Sequence, residues 1–249
     1  MKKTGIALGG GAIFGAAHVG VIRAIEETDI DITAISGTSI GALVAALYAF
    51  GKNWEDLQKI ASELRWMDIT NLSPSKFALL SNQKIGEVII NHIGEQNIED
   101  ANIKLTIVAT DVSNGKKIIL DKGSVADAVM ASTCLPGIFK PVVIDEKMLV
   151  DGGVVENLPI STLKSMGAEY TIAVDLNSKH KYQEPTNILE VILNSFHFIM
   201  MHSSKHQTKQ ADLLIQPNLS EFNRLDMKQV DELMKKGYDV AKAALKELP

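Results

Sequence analysis

Cysteine is nearly absent from this chain: Cys134 is the only one in 249 residues, so no disulfide can form within it. A basic surplus is absent too. Lys and Arg total 25 against 30 Asp and Glu, a formal charge of −5. That balance excludes the strongly basic footprint of a nucleic-acid binder and gives no general attraction to anionic lipid. Nor is there a long apolar run. The longest uncharged stretch, from Ile32 up to Lys52, is interrupted by Thr33, Ser36, Gly37, Thr38, Ser39 and Gly41. It reads as a strand, a turn and a buried helix rather than a membrane span. Met1-Lys2-Lys3-Thr4 leads into glycine-rich sequence without the apolar core of a signal peptide, so a soluble cytoplasmic protein is expected. Repeats, low-complexity tracts and linkers are missing, and one domain over residues 1–249 is expected.

What is present alternates between two periodicities. Short apolar runs at Thr4 to Leu8, Ile32 to Ile35, Leu105 to Ala109, Tyr170 to Leu176 and Leu213 to Gln216 read as strands. Gly15 to Thr28, Ile40 to Phe50, Trp54 to Trp66, Ile85 to Gln96, Val125 to Ser132, Ile188 to Ser203 and Met227 to Leu248 read as helices. Ser113-Asn114-Gly115 sets up a hairpin between Leu105–Ala109 and Lys116–Leu120. Val142 to Ile144 and Met148 to Val150 are brief strands. Asn71 to Asn82, with Pro74 and three serines, reads as a loop or lid. Strands alternating with helices predict an α/β fold with a mostly parallel sheet.

Three segments carry chemistry. Gly37-Thr38-Ser39-Ile40-Gly41 is a Gly-x-Ser-x-Gly pattern between a predicted strand and a predicted helix, where a tight turn pushes the serine out of the sheet. Gly37 and Gly41 remove side chains that would clash in that elbow. Gly9-Gly10-Gly11-Ala12-Ile13-Phe14-Gly15 also joins a strand to a helix and leaves backbone N–H groups open to a phosphate or an oxyanion. Three residues separate Gly11 from Gly15, and Ile35-Ser36-Gly37 has no acidic residue, so the dinucleotide fingerprint fails. The Walker loop fails as well, for want of Gly-Lys-Ser/Thr. Finally, Asp151-Gly152-Gly153 follows apolar Met148-Leu149-Val150, an order compatible with a catalytic carboxylate or with an ordinary turn.

In this order, the three segments resemble the patatin-like phospholipases, above all the small bacterial members. The resemblance extends through Ala16-Ala17-His18-Val19-Gly20-Val21, Ala109-Thr110-Asp111, Ala131-Ser132-Thr133-Cys134-Leu135-Pro136 and Glu156-Asn157-Leu158-Pro159. It runs clearly from about Gly5 to Asp175 and more weakly beyond. It implies a three-layer α/β/α fold with a central, mostly parallel sheet. It also implies hydrolysis of lipid carboxylic esters through a Ser39–Asp151 dyad, with an oxyanion hole from the Gly10, Gly11 and Ala12 amides and a turn made by Gly152 and Gly153. One position departs from the family: Phe14 stands where Arg or Lys is usual.

An unperturbed aspartate, with a pKa near ~3.9, is a weak base for a hydroxyl, but burial and a direct hydrogen bond to the serine adapt it to that task. No cofactor or metal is called for: His202 and His206 have metal-compatible spacing but no acidic pair, and they read as a polar helix face. His18 reads as a helix-packing residue. The expected partner is a lipid or other acyl ester, with transient membrane-surface contact and no nucleic acid. Ile188 to Met201, rich in Ile, Leu, Phe and Met, suits either a lipid-facing surface or core packing. Two other readings stand. A Ser-His-Asp hydrolase would draw its histidine from His180 to His206. A non-catalytic lipid-binding or regulatory module would keep the fold without the chemistry.

Overall fold

A computed structural model describes residues 2–66, 71–75, 78–179, 184–223 and 226–246. In chain order, strand β1 (Thr4–Leu8) leads through a tight 3-10 turn at Ala12–Gly15 into helix α1 (Ala16–Glu26). Then come β2 (Ile32–Thr38), α2 (Ile40–Ala49), α3 (Trp54–Trp66), β3 (Asn71–Ser75), β4 (Ala78–Ser81) and α4 (Gln83–Ile93). β5 (Lys104–Asp111), β6 (Lys116–Leu120), α5 (Val125–Ser132), β7 (Val142–Ile144) and β8 (Lys147–Asp151) form the middle of the chain. α6 (Ile160–Ser165), β9 (Tyr170–Val174), α7 (Ile188–Gln207), β10 (Leu213–Ile215) and α8 (Val230–Leu245) complete it.

The main sheet runs β10-β9-β1-β2-β5-β8-β7, with β6 also paired to β5. The pairings among β10, β9, β1, β2 and β5 are parallel; β6, β8 and β7 are added antiparallel. The two-residue period of each strand sorts its side chains into two layers. Ile6, Leu8, Ile35, Ile172 and Val174 pack into the large core with α1, α2, α5 and α8. Their neighbours Ala7, Ala34 and Ala173 face the opposite layer, a thinner one built from Leu158, Ile160 and Leu163 at α6. The small side chains on that face let a short helix lie close to the sheet. This is the three-layer α/β/α architecture expected from the resemblance.

Two local expectations are corrected. Asn71 to Asn82 is not a loop: β3 and β4 pair antiparallel, Asn71 opposite Ser81 and Leu72 opposite Leu80. Pro74 and the serines have poor strand propensity, but an isolated two-stranded ribbon is all edge, where a missing backbone donor is tolerated. α6, absent from the sequence reading, spans only six residues, too few for a 3.6-residue period to show. Among the described residues, no helix is long and apolar enough to cross a membrane.

Candidate active site

The parallel strands end together at one edge of the sheet, where open α/β folds form their crevices. β1 runs out into the glycine-rich loop, and β2 into Ser39. The register brings Asp151 to the same place. Thr38 on β2 pairs with Val108 on β5, and the next β5 residue, Ala109, pairs with Asp151 on β8. The backbones of Ser39 and Asp151 therefore stand on either side of one central strand, two strand spacings or about 10 Å apart along the sheet, and their side chains meet above it.

Ser39 adopts φ 55 and ψ −129 between β2 and α2, a left-handed turn that a non-glycine residue rarely takes. A backbone so turned cannot extend either element, and it is the conformation that lifts the side chain clear of the sheet. Glycines make the bend possible. A Cβ on Gly37 would stand 2.5 Å from the Ala42 Cα, and one on Gly41 would strike the Leu8 carbonyl. The Ser39 N–H donates to the Ser132 hydroxyl at 2.8 Å, and that hydroxyl donates to the Val108 carbonyl at 2.6 Å.

Asp151 is fully buried. Its Oδ1 accepts the Gly153 N–H at 2.8 Å, which folds Asp151-Gly152-Gly153 back on itself. Its own N–H donates to the Cys134 carbonyl at 2.8 Å, and its carbonyl accepts from the Thr110 hydroxyl at 2.9 Å. Burial raises its pKa to about 7, opposed by the neighbouring Ser39 hydroxyl and the Gly153 amide. The Ser39 hydroxyl thus stands close enough to bias the carboxyl, while among the described residues Oδ2 has no hydrogen-bond partner of ordinary geometry. A desolvated carboxylate with one oxygen left open is equipped to take a proton. Nearby Cys134 is no rival nucleophile. Burial, reinforced by the Asp151 charge, pushes its thiol up to about 12.

The glycine-rich loop is pinned peptide by peptide. His18 Nε2–H donates to the Gly9 carbonyl at 2.8 Å, and burial lowers the pKa of this imidazole to about 4. The Gly9 N–H donates to the Val174 carbonyl at 3.1 Å. The Gly10 N–H, expected to face an oxyanion, donates instead to Asn157 Oδ1 at 3.0 Å. The Gly10 carbonyl accepts from Asn177 Nδ2 at 2.6 Å. Phe14, in place of a basic residue, is buried in the core beneath the loop and reaches the cavity wall.

A cavity of about 680 Å³ opens beside Ser39 and Ala12. Leu43, Leu47, Leu57 and Ile60 of α2 and α3 make one wall, and Leu193 and Met200 of α7 contribute another. α7 divides its apolar residues: Phe196 and Met200 are buried, whereas Ile188, Val191, Phe198 and Ile199 are exposed. Core packing, one of the two uses expected for this segment, accounts for the first two residues and not for the other four. His197 is buried on the cavity side of α7. His202 and His206 are exposed, and His180 lies outside the described residues.

The structure therefore gathers Ser39, Asp151, Gly10, Gly11, Ala12, Gly37, Gly41, Gly152 and Gly153 around one crevice. Sequence reasoning missed the polar residues that hold them. Ser132, Asn157 and Asn177 were readable only as neutral polar residues, the first two inside segments noted for resemblance alone.

The site thus combines a serine on a positive-φ elbow, a buried carboxyl beside it and an apolar cavity. Comparison with known proteins places the chain more closely. The model of the patatin-like phospholipase family matches residues 6–164, and the chain belongs to that family. An NTE family protein of Mycobacterium tuberculosis is 35% identical over 180 residues, covering 70% of this chain and 49% of its own. Lysophospholipase NTE1 of Meyerozyma guilliermondii is 27% identical over 269 residues, covering 95% of this chain and 19% of its own. The chain thus spans half or less of the length of these relatives. Among solved structures, VipD from Legionella pneumophila superposes with a TM-score of 0.59 at 15% identity, over 98% of this chain and 67% of that one. ExoU from Pseudomonas aeruginosa, solved in complex with SpcU, gives a TM-score of 0.54 at 12% identity, over 99% of this chain and 52% of that one.

Proposed function

We propose that the chain hydrolyses carboxylic esters of lipids through an acyl-serine at Ser39, with Asp151 as its direct base. The observation that carries this reading is the fully buried Asp151 carboxyl, its pKa near 7, beside the Ser39 hydroxyl. Ser39 Oγ attacks the ester carbonyl carbon as its proton passes to Asp151 Oδ2. The tetrahedral oxyanion is met by the Gly11 and Ala12 amides and by the Ile40 N–H at the start of α2, a donor with no partner inside its own helix. Collapse breaks the bond to the alcohol, which leaves with the proton from Asp151. Water then repeats the sequence and releases the fatty acid. Gly10, whose amide is already engaged, shapes the hole rather than donating to it.

The apolar wall between α2 and α3 suits an acyl chain, and the exposed apolar residues of α7 suit transient contact with a lipid surface. The name of the Meyerozyma guilliermondii relative, lysophospholipase, supports a single-chain phospholipid as one substrate class.

A fluorophosphonate probe tests the nucleophile: labelling on Ser39, lost in Ser39→Ala, is expected. Asp151→Asn is expected to lower kcat by roughly 10²–10⁴-fold, the usual contribution of a general base. His197→Ala, altering the histidine in the cavity wall, is expected to keep most activity. An inactive but folded His197→Ala with an active Asp151→Asn replaces the dyad with a Ser-His-Asp triad. A wild type that neither takes the probe at Ser39 nor turns over any lipid ester points to a binding module instead.

A further inference from the structure

We infer that Asn157 and Asn177 are positioning residues that clamp Gly10 from both sides and so fix the direction of the Gly11 N–H. The inference rests on the acyl-hydrolase reading above. It begins with peptide geometry. A trans peptide is planar, and its C=O and N–H point in opposite directions. The Gly10 carbonyl is held by Asn177 Nδ2 at 2.6 Å. The Gly11 N–H, at the other end of that peptide plane, must therefore point away from Asn177. The preceding plane is fixed as firmly, with its carbonyl on His18 and its N–H on Asn157 Oδ1.

Glycine at this position cannot hold itself in place, because it has the widest choice of φ and ψ. Nor can a larger residue replace it. A Cβ on Gly10 would stand 2.8 Å from Asn157 Oδ1 and 3.0 Å from the Ser39 Cβ. The loop is thus flexible by composition, rigid by its partners, and directly against the nucleophile.

Asn157 has a determined orientation. The Gly10 N–H can only donate, so the amide oxygen faces it and Nδ2 is left to donate to the Ser204 hydroxyl, at 2.7 Å. Asn157 and Ser204 are both buried. Asn157 follows Asp151 by six residues, and Ser204 belongs to α7. One amide therefore ties the loop to the segment bearing the base and to the helix walling the cavity. Asn177 is anchored in turn by its own N–H, which donates to Asp175 Oδ1 at 3.0 Å. Packing alone would need only bulk at these places. The pairing of an acceptor for the N–H with a donor for the C=O is what orients a peptide.

The test separates positioning from structure with a long-chain trifluoromethyl ketone, whose serine adduct carries an oxyanion, and an unreactive ether analogue of the substrate, which has none. Asn177→Asp keeps the shape but cannot donate when ionised, and Asn157→Leu removes the acceptor. In each, kcat is expected to fall roughly 10–10²-fold, at or below the ~10²–10³ lost with an entire oxyanion donor. Ketone affinity should fall in parallel, with KM and ether-analogue affinity within about threefold. Ser204→Ala spares the Gly10 bond, and a smaller parallel loss of kcat and ketone affinity is expected; it decides the matter if either asparagine variant fails to fold. Unchanged ketone affinity in the folded variants overturns the clamp, even if kcat falls. A wild type that binds the ketone and is labelled at Ser39 keeps the acyl-hydrolase reading in that event. A wild type that takes neither probe overturns both.

Discussion

The Ser39 N–H and the Ser132 hydroxyl form a hydrogen bond of 2.8 Å between residues 93 apart in the chain. Because the same hydroxyl donates to Val108 on the central strand, α5 stitches the Ser39 elbow to the sheet. Two residues on, the Cys134 carbonyl holds the Asp151 N–H. One short segment therefore sets the positions of both Ser39 and Asp151.

Ser132→Ala would leave a buried N–H and a buried carbonyl without this partner. Such orphaned groups cost about 1–3 kcal/mol, so denaturant unfolding should show a loss of that order with an unchanged m-value. The strained Ser39 backbone would also lose its tether, and kcat should drop at least about tenfold. Wild-type stability and turnover in Ser132→Ala would mean that the elbow is held by its glycines alone.

Asp151 links activity to stability in opposite senses. Its pKa is about 7 in the fold against 3.8 for an ordinary aspartate. Above pH 3.8 the unfolded chain ionises this group while the folded chain resists, so the contribution of Asp151 to stability falls as pH rises to about 7. The base is needed ionised, so kcat/KM should rise across the upper part of the same range, with an apparent pKa near 7. Asp151→Asn has no charge to bury. It should be inactive yet melt higher than the wild type, with a gap that widens from pH 4 to pH 7 and is constant above. A gap independent of pH would show that Asp151 ionises in the fold as readily as in water.

The candidate pair Ser39 and Asp151 was legible because both lie where an apolar strand meets glycines, a pattern that stays local: Val150 to Gly153 at Asp151, and Ile35 to Gly41 at Ser39. The fold class was legible for a similar reason, since period-2 runs alternate with period-3.6 runs along the chain. The supporting shell was not. Asn157 lies 147 residues from Gly10, and Asn177 lies 167 from it, so nothing near either residue announces its partner. The Gly10 N–H, expected at the oxyanion hole, is held by a buried asparagine that no nearby pattern announces. The β3–β4 ribbon was hidden by Pro74 and serines, whose weak local preference is overridden by pairing.

His18 offers the converse of Asp151. The buried imidazole has a pKa of about 4 against the ordinary 6.5, and its Nδ1 finds no partner among the described residues. It is neutral at pH 7 and serves as a donor to the Gly9 carbonyl. Between pH 6.5 and 4 the unfolded chain takes up a proton that the folded chain refuses. The stabilising contribution of His18 is therefore complete above 6.5 and lost as pH falls toward 4, opposite in sign to that of Asp151 over nearly the same interval. The two partly cancel in the wild type and are separated by mutation. His18→Leu removes the donor and leaves the Gly9 carbonyl unpaired, which should cost about 1–3 kcal/mol at pH 7.5. At pH 5 the difference should shrink, because only the wild type then carries the penalty of keeping an imidazole neutral. Chemical denaturation at the two pH values measures both gaps, and a difference that grows on acidification would mean that His18 is protonated inside the fold and holds the loop as a cation.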